Sequence, residues 1–336
     1  MRKKIIIAVI CVVALFHIAW YAGSKIYQNR ALPDKESVHR QLENDRKRMN
    51  MDVDLKAMQE TTIEANGFTL HLTVFPAGGK APTLVFVPGT TAYAQVYCQF
   101  MSDMYRRGFN VVGFDPRGHG LSSGGRGDYT ISGLVDDTLA VVKYARARFG
   151  GKVALAGSSQ GGMVAFYAAA RDDSLSAAVC HNIADLNGKD NLVLSTIRPP
   201  LFLVPAAELL MSLYGSYSLP ISFYLDLTKE KFPDGTDAAT LVHKDILAVS
   251  WITFRALGSL MRTGLAKPVE KIRVPILLIH ADRDNIFPQS YVEGIYSRLT
   301  CPKKYLLFKN TEHLVMTNNV GEVVPPVSAW LREIMR

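Results

Sequence analysis

The sequence predicts an α/β domain: a mostly parallel sheet with helices on both faces and an inserted helical cap, behind one N-terminal transmembrane helix. Three observations predict it. Short apolar runs rich in β-branched residues alternate with helical stretches from about residue 61 onward, the pattern of a parallel sheet buried on both faces. That rhythm is interrupted over about 185–270, where helical, Leu-, Tyr-, Phe- and Pro-rich sequence carries no convincing strand. Ahead of it all, residues 5–23 read IIIAVICVVALFHIAWYAG, with no formal charge when His17 is neutral.

The apolar run spans roughly 28 Å at about 1.5 Å per residue, close to the hydrocarbon thickness of a bilayer. Arg2, Lys3 and Lys4 precede it, which favours a cytoplasmic N-terminus and puts the rest of the chain on the non-cytoplasmic side. The run is longer than an ordinary signal-peptide core, and bulky Trp20 and Tyr21 stand where small residues precede a cut. A retained anchor over 1–24 is therefore preferred to a cleaved signal at Ala22-Gly23-Ser24, which would release a secreted protein. Residues 25–60 follow as a charged stalk, helical over 34–60, where Gly and Pro are missing and charges of both signs alternate.

Composition excludes several classes. Of 38 Lys+Arg and 30 Asp+Glu, residues 1–60 hold 11 and 7, so half of the +8 net charge belongs to the anchor and stalk. The remaining +4 over 276 residues gives no nucleic-acid signal. Hydrophobic content of 48% excludes a mostly disordered chain. The four cysteines, Cys11, Cys98, Cys180 and Cys301, have no zinc spacing, so neither a metal nor a cofactor is expected. Nothing in the sequence reports the oligomeric state.

In the domain, Asn66-Gly67 lies between alternating apolar runs and predicts a hairpin. Strands follow at 83–87, 110–115, 152–157, 175–182, 275–282 and 303–310, with helices near 94–107, 130–149, after 161, 289–299 and 321–335. The apolar piece PPLFLVPAAELLMSL is broken by three prolines and Glu208, so it belongs to the cap rather than to a second span.

A G-x-S-x-G pattern occurs twice, at Gly120–Gly124 and Gly157–Gly161. A nucleophilic serine needs a sharp strand-to-helix turn that exposes its hydroxyl at the helix N-terminus. Ser122 runs into Gly-Gly-Arg-Gly with no helix behind it; Ser159 has a strand directly before it and an apolar helix directly after. Ser159 is the candidate nucleophile. A serine needs a base, itself oriented by an acid. His313 follows the last strand, and Asp282 and Asp284 follow the one before. Asp284, deeper in its loop, is preferred over Asp282, with Asp185 third. His119 is expected to hold loop geometry, and His181 to line the pocket or serve structure. The backbone N–H of Gln160 and of Thr90, in Pro88-Gly89-Thr90-Thr91, are the candidate oxyanion donors.

The stretch Gly113-Phe114-Asp115-Pro116-Arg117-Gly118-His119-Gly120-Leu121-Ser122-Ser123-Gly124, with Asp136-Asp137 beyond it, is similar to the D-x-R-G-H-G-x-S-x-G loop of the monoacylglycerol-lipase-like, serine aminopeptidase-like branch of the α/β-hydrolases. The resemblance covers about 61–336. It implies Ser159 as nucleophile, Asp284 as acid, His313 as base, and a cap over an apolar pocket. Its members usually carry His-Gly where this chain has Pro88-Gly89. The expected function is a serine hydrolase cleaving carboxylic esters with an acyl or other apolar moiety, its substrate a small ester, including lipid. Peptidase, thioesterase or acyltransferase chemistry on the same triad is the alternative, and a non-catalytic binding module the remaining class.

Overall fold

A computed structural model describes residues 2–187 and 203–336; the part of the expected cap from 188 to 202 lies outside the described residues. The first two helices are α1 (Arg2–Gln28) and α2 (Lys35–Arg48). The body then runs β1 (Gln59–Ala65), β2 (Phe68–Phe75), β3 (Thr83–Val87), α3 (Cys98–Arg106), β4 (Asn110–Phe114), α4 (Ile131–Phe149), β5 (Val153–Ser158), α5 (Gln160–Arg171) and β6 (Ala177–His181). The cap contributes α6 (Val204–Leu213), β7 (Ser218–Pro220), α7 (Ala238–Lys244), β8 (Trp251–Thr253) and α8 (Phe254–Arg262). The chain closes with β9 (Ile276–Ala281), α9 (Gln289–Arg298), β10 (Lys303–Phe308), α10 (Val315–Asn318) and α11 (Val320–Ile334).

Eight strands form one sheet in the order β1-β2-β4-β3-β5-β6-β9-β10. β1 and β2 pair antiparallel across the Asn66-Gly67 turn, β2 meets β4 antiparallel, and every later pairing is parallel. Asn66 and Gly67 both have positive φ, as the hairpin turn requires. Strand residues alternate between two cores: Val85 and Val87 face α4 and α5, while Leu84 and Phe86 face α3 and α11. Burial on both faces is why these strands read as continuous apolar runs. The chain order reverses between β3 and β5, and such a switch point opens a crevice at the carboxyl ends of the strands.

The Asp-Pro-Arg-Gly-His-Gly loop after β4 is a structural brace. Asp115 accepts hydrogen bonds from the N–H of Ala94 and of Leu121, both 2.8 Å. Arg117 Nε donates to the fully buried Asp137 at 2.8 Å. Gly120 has φ 49°, and a Cβ there would lie 2.1 Å from Asp115 Oδ2. Ser122 receives the His71 N–H at 2.8 Å and donates back to the Asp115 carbonyl. His119 is buried with Nδ1 3.0 Å from the Arg117 carbonyl, and its desolvation holds its pKa down at about 4.

Two parts of the sequence expectation differ from the structure. The cap, expected to lack strands, contains the two-stranded ribbon β7–β8; strands of three residues that include Pro220 leave no periodic signal. The charged helix stops at Arg48 instead of continuing to 60, with Asn50 at φ 48°, and it is not solvated all round. Val38 and Leu42 are buried against Tyr93 and Leu247, while Met51, Val53 and Met58 pack on the core under the sheet. The end of α1 is likewise fastened to the cap ribbon: Trp20 Nε1 donates to the Ser218 carbonyl at 2.8 Å, and Gln28 Nε2 to the Ser216 carbonyl at 2.7 Å.

Candidate active site

β5 ends at Ser158, and the chain must reverse within one residue to begin α5 at Gln160. Ser159 bridges the two with φ 55° and ψ −120°, a strained backbone for a residue with a side chain. The neighbouring glycines make the turn possible. A Cβ on Gly157 would lie 2.1 Å from the Gly161 carbonyl oxygen; one on Gly161, 2.1 Å from that of Val87; one on Gly162, 2.2 Å from that of His181. Each contact is backbone, so no side-chain shift relieves it. The two serine motifs differ in their surroundings: Ser122 is bonded into the brace, whereas Ser159 lines the cavity above the strand ends.

Asp284 lies three residues beyond β9 and His313 five beyond β10. His313 Nδ1 is 2.8 Å from Asp284 Oδ2, and the carboxylate is held on all sides. Its Oδ1 accepts the N–H of Ile286 and of Phe287, both 2.8 Å, and its Oδ2 also accepts from Asn182 Nδ2 at 2.8 Å. Both side chains are buried. Burial alone raises a carboxyl, but the charge and hydrogen bond of His313 outweigh it and hold Asp284 well below the usual carboxylate range. Burial lowers His313, and the same carboxylate outweighs it, so the imidazole is raised above 6.5. With Nδ1 donating to Asp284, Nε2 carries the lone pair, the tautomer a general base requires.

Ser159 and His313 line one cavity of about 100 Å³ together with Thr90 and the apolar cap residues Leu225, Leu227 and Val242. Gln160 is the first residue of α5, so its N–H has no acceptor within the helix. Its side chain is tied away, Nε2 donating to the Tyr129 hydroxyl at 3.1 Å. Thr90 Oγ1 sits 3.5 Å from the Tyr224 hydroxyl of the cap, and Thr91 follows with φ 66°.

The other two candidate acids are employed elsewhere. Asp282 Oδ1 accepts the Thr311 N–H at 3.3 Å, and Asp185 Oδ2 lies 3.7 Å from Arg298. His181 ends β6 against the turn that carries Ser159. Its Nδ1 accepts the Ser159 N–H at 3.3 Å and faces Ser158 Oγ at 3.1 Å, while burial and the neighbouring His313 hold it neutral. His181, Asp284 and His313 bring ligand-type atoms within 4.8 Å of one another. Within this group the direct Nδ1–Oδ2 hydrogen bond ties His313 to Asp284, an arrangement suited to proton transfer at His313 Nε2.

Sequence reasoning missed the residues behind the pair. Asn182, fully buried at φ 68°, donates to Asp284 while its Oδ1 accepts from His280 Nδ1 at 2.6 Å. Glu230 of the cap is fully buried; burial raises its carboxyl, and its proximity raises His313. Neither stands in a motif. Only their positions, at a strand end and in a polar cap segment, mark them.

A sheet with this strand order, a glycine-flanked serine on a strand-to-helix turn and an acid and histidine after the last two strands define an α/β-hydrolase. Residues 79–319 match the family described as serine aminopeptidase, S33, more than half of the chain, and the chain belongs to that family. It is 25% identical over 264 residues, 75% of this chain and 92% of the other, to the bifunctional esterase/perhydrolase DCH of Acinetobacter calcoaceticus. Among solved structures, the monoacylglycerol lipase of Paleococcus ferrophilus superposes with a TM-score of 0.63 at 24% identity, covering 79% of this chain and 99% of that one. A soluble variant of the monoglyceride lipase of Saccharomyces cerevisiae superposes at 0.68 with 17% identity, covering 85% and 98%. At those identities the two structures speak for the fold.

Proposed function

We propose that this protein is a serine hydrolase that cleaves carboxylic esters bearing an acyl or other apolar moiety, with Ser159, His313 and Asp284 as its triad. The observation that carries the reading is the 2.8 Å bond between His313 Nδ1 and Asp284 Oδ2 beside a cavity shared with Ser159. Ser159 Oγ attacks the ester carbonyl carbon as His313 Nε2 takes its proton, and Asp284 stabilises the imidazolium. The developing oxyanion receives the N–H of Gln160 and of Thr90, each worth about 3–4 kcal/mol in such sites. Collapse expels the alcohol, protonated by His313. Water, deprotonated by the same imidazole, then releases the acid from the acyl-enzyme.

The apolar cap lining supports an apolar substrate portion. We assign 1–24 as a membrane anchor, 25–60 as the segment joining it to the body, and 61–336 as the hydrolase domain with its cap at about 185–270. Among the described residues one helix, over Ile10–Gln28, is long and apolar enough to cross a membrane; with the basic N-terminus inside, the catalytic domain lies on the non-cytoplasmic side. Profiling p-nitrophenyl esters of rising chain length against aminoacyl amides tests the substrate class, and a preference for amides contradicts it. A reporter fused after residue 30 that is active only in the cytoplasm contradicts the orientation.

A further inference from the structure

The cavity that holds Ser159 and His313 is not built by the hydrolase domain alone. Asp45, Arg48 and Met49, from the end of α2, form part of its wall, yet they lie ahead of the family region, which begins at residue 79. α2 is seated firmly. Beyond the apolar contacts of Val38 and Leu42, Asp45 Oδ2 lies 3.3 Å from the Tyr93 hydroxyl, which lies 3.0 Å from Asp245 of the cap.

Arg48 is the polar end of this wall. Its Nη2 donates to Asp45 Oδ1 at 3.0 Å, and its guanidinium lies 5.3 Å from the centre of the Phe232 ring in the cap. Its Nη1 is buried with no hydrogen-bond partner; the carboxylate it faces, Asp234 Oδ2, is 3.7 Å away. A buried guanidinium N–H held only by a long ion pair is under-satisfied, and here it belongs to a residue that lines the cavity. The charge around it narrows the ligand. Asp45 and Asp234 already flank the Arg48 guanidinium, and Asp245 lines the same cavity, so a further anion beside Arg48 meets net repulsion, while an uncharged oxygen accepts from Nη1 without one.

We propose that α2 is a wall of the substrate site and that Arg48 is a specificity-determining residue, donating from Nη1 to an uncharged hydrogen-bond acceptor on the ester substrate. This rests on the ester-hydrolase reading, and it makes the segment after the anchor part of the enzyme rather than a spacer.

The test uses the full-length protein in detergent micelles and matched esters in which one methylene is replaced by an ether oxygen, in the alcohol half in one series and in the acyl half in another. The expected result is a higher kcat/KM for one ether series than for its hydrocarbon parent, with that preference reduced about tenfold in Arg48→Met, the scale of one charge-assisted hydrogen bond. Asp234→Asn removes the facing carboxylate and leaves Nη1 in place, so it keeps the preference. Equal loss in Asp234→Asn and Arg48→Met, or no loss in Arg48→Met, overturns the proposal. So does a wild-type preference for a carboxylate-ended ester. If Arg48→Met fails to fold, Arg48→Lys decides: it keeps the charge but not the fork, and an unchanged preference counts against the assignment. Labelling of Ser159 by a fluorophosphonate separates the outcomes. Labelling with no ether preference sinks only the Arg48 assignment, whereas absent labelling in the wild type sinks the hydrolase reading beneath it.

Discussion

Replacing Asp284 by Asn keeps the size of the side chain and removes its charge, and the surroundings leave the amide no good orientation. The carboxylate accepts four hydrogen bonds: two from the backbone N–H of Ile286 and Phe287, one from Asn182 and one from His313. An amide offers one oxygen. If that oxygen keeps the two backbone donors, its NH₂ faces Nδ1 of His313. The ring must then accept at Nδ1 and carry its proton on Nε2, where it cannot receive the proton of Ser159. Loss of the acid in such a triad costs about 10⁴-fold in rate, or about 5.4 kcal/mol. A second signature follows from the charge. In the wild type His313 is raised above 6.5 by Asp284 against its burial, so kcat/KM for a p-nitrophenyl ester falls as pH drops through a value above 6.5. In Asp284→Asn the main raising influence is gone, leaving burial against the weaker influence of Glu230, so the acid limb of the residual activity moves to lower pH. The assay is the pH profile of kcat/KM for both proteins, with Asp282→Asn as a control. Activity of Asp284→Asn within tenfold of wild type, or an equal loss in Asp282→Asn, refutes the reasoning.

Three further outcomes follow from the same geometry. Ser122→Ala removes two buried hydrogen bonds of the brace and is expected to cost about 1–3 kcal/mol in denaturant unfolding, while serine labelling persists. Gly162→Ala drives a Cβ toward the His181 carbonyl oxygen and is expected to lower stability by about 1–3 kcal/mol or more, read as a reduced Tm. His71, buried between Glu60 and Asp115, is raised to about 10 because those carboxylates outweigh its desolvation. Its stabilisation is complete below the unfolded value of about 6.5 and disappears as pH rises through about 10. His71→Leu, which leaves Asp115 buried and unpaired, is expected to cost about 3–5 kcal/mol near neutral pH and to abolish that alkaline decline in chemical denaturation.

The sheet was legible because each central strand is a short apolar run flanked by turn residues, as in TLVFV before Pro88-Gly89. Ser159 was distinguishable from Ser122 because the distinction is local: a strand before, a helix after. Asp284 and His313 were reachable from chain order, since strand ends at one sheet edge converge whatever their separation in sequence. What could not be read depends on contacts without local pattern. Asn182 meets Asp284 from 102 positions away, and its amide sits in no motif. The charged run that ends in Arg46, Lys47 and Arg48 reads as solvent-facing because charges of both signs cover it. Its burial comes from two apolar residues, Val38 and Leu42, too few to set a periodic signal. The ribbon of the cap is too short for any periodicity at all.

The most direct measurement of the central claim is fluorophosphonate labelling of the full-length protein, followed by peptide mapping and paired with p-nitrophenyl ester hydrolysis. The account predicts one covalent adduct on Ser159, with labelling and hydrolysis both lost in Ser159→Ala. No adduct in the wild type, or labelling and hydrolysis that survive in Ser159→Ala, would contradict it.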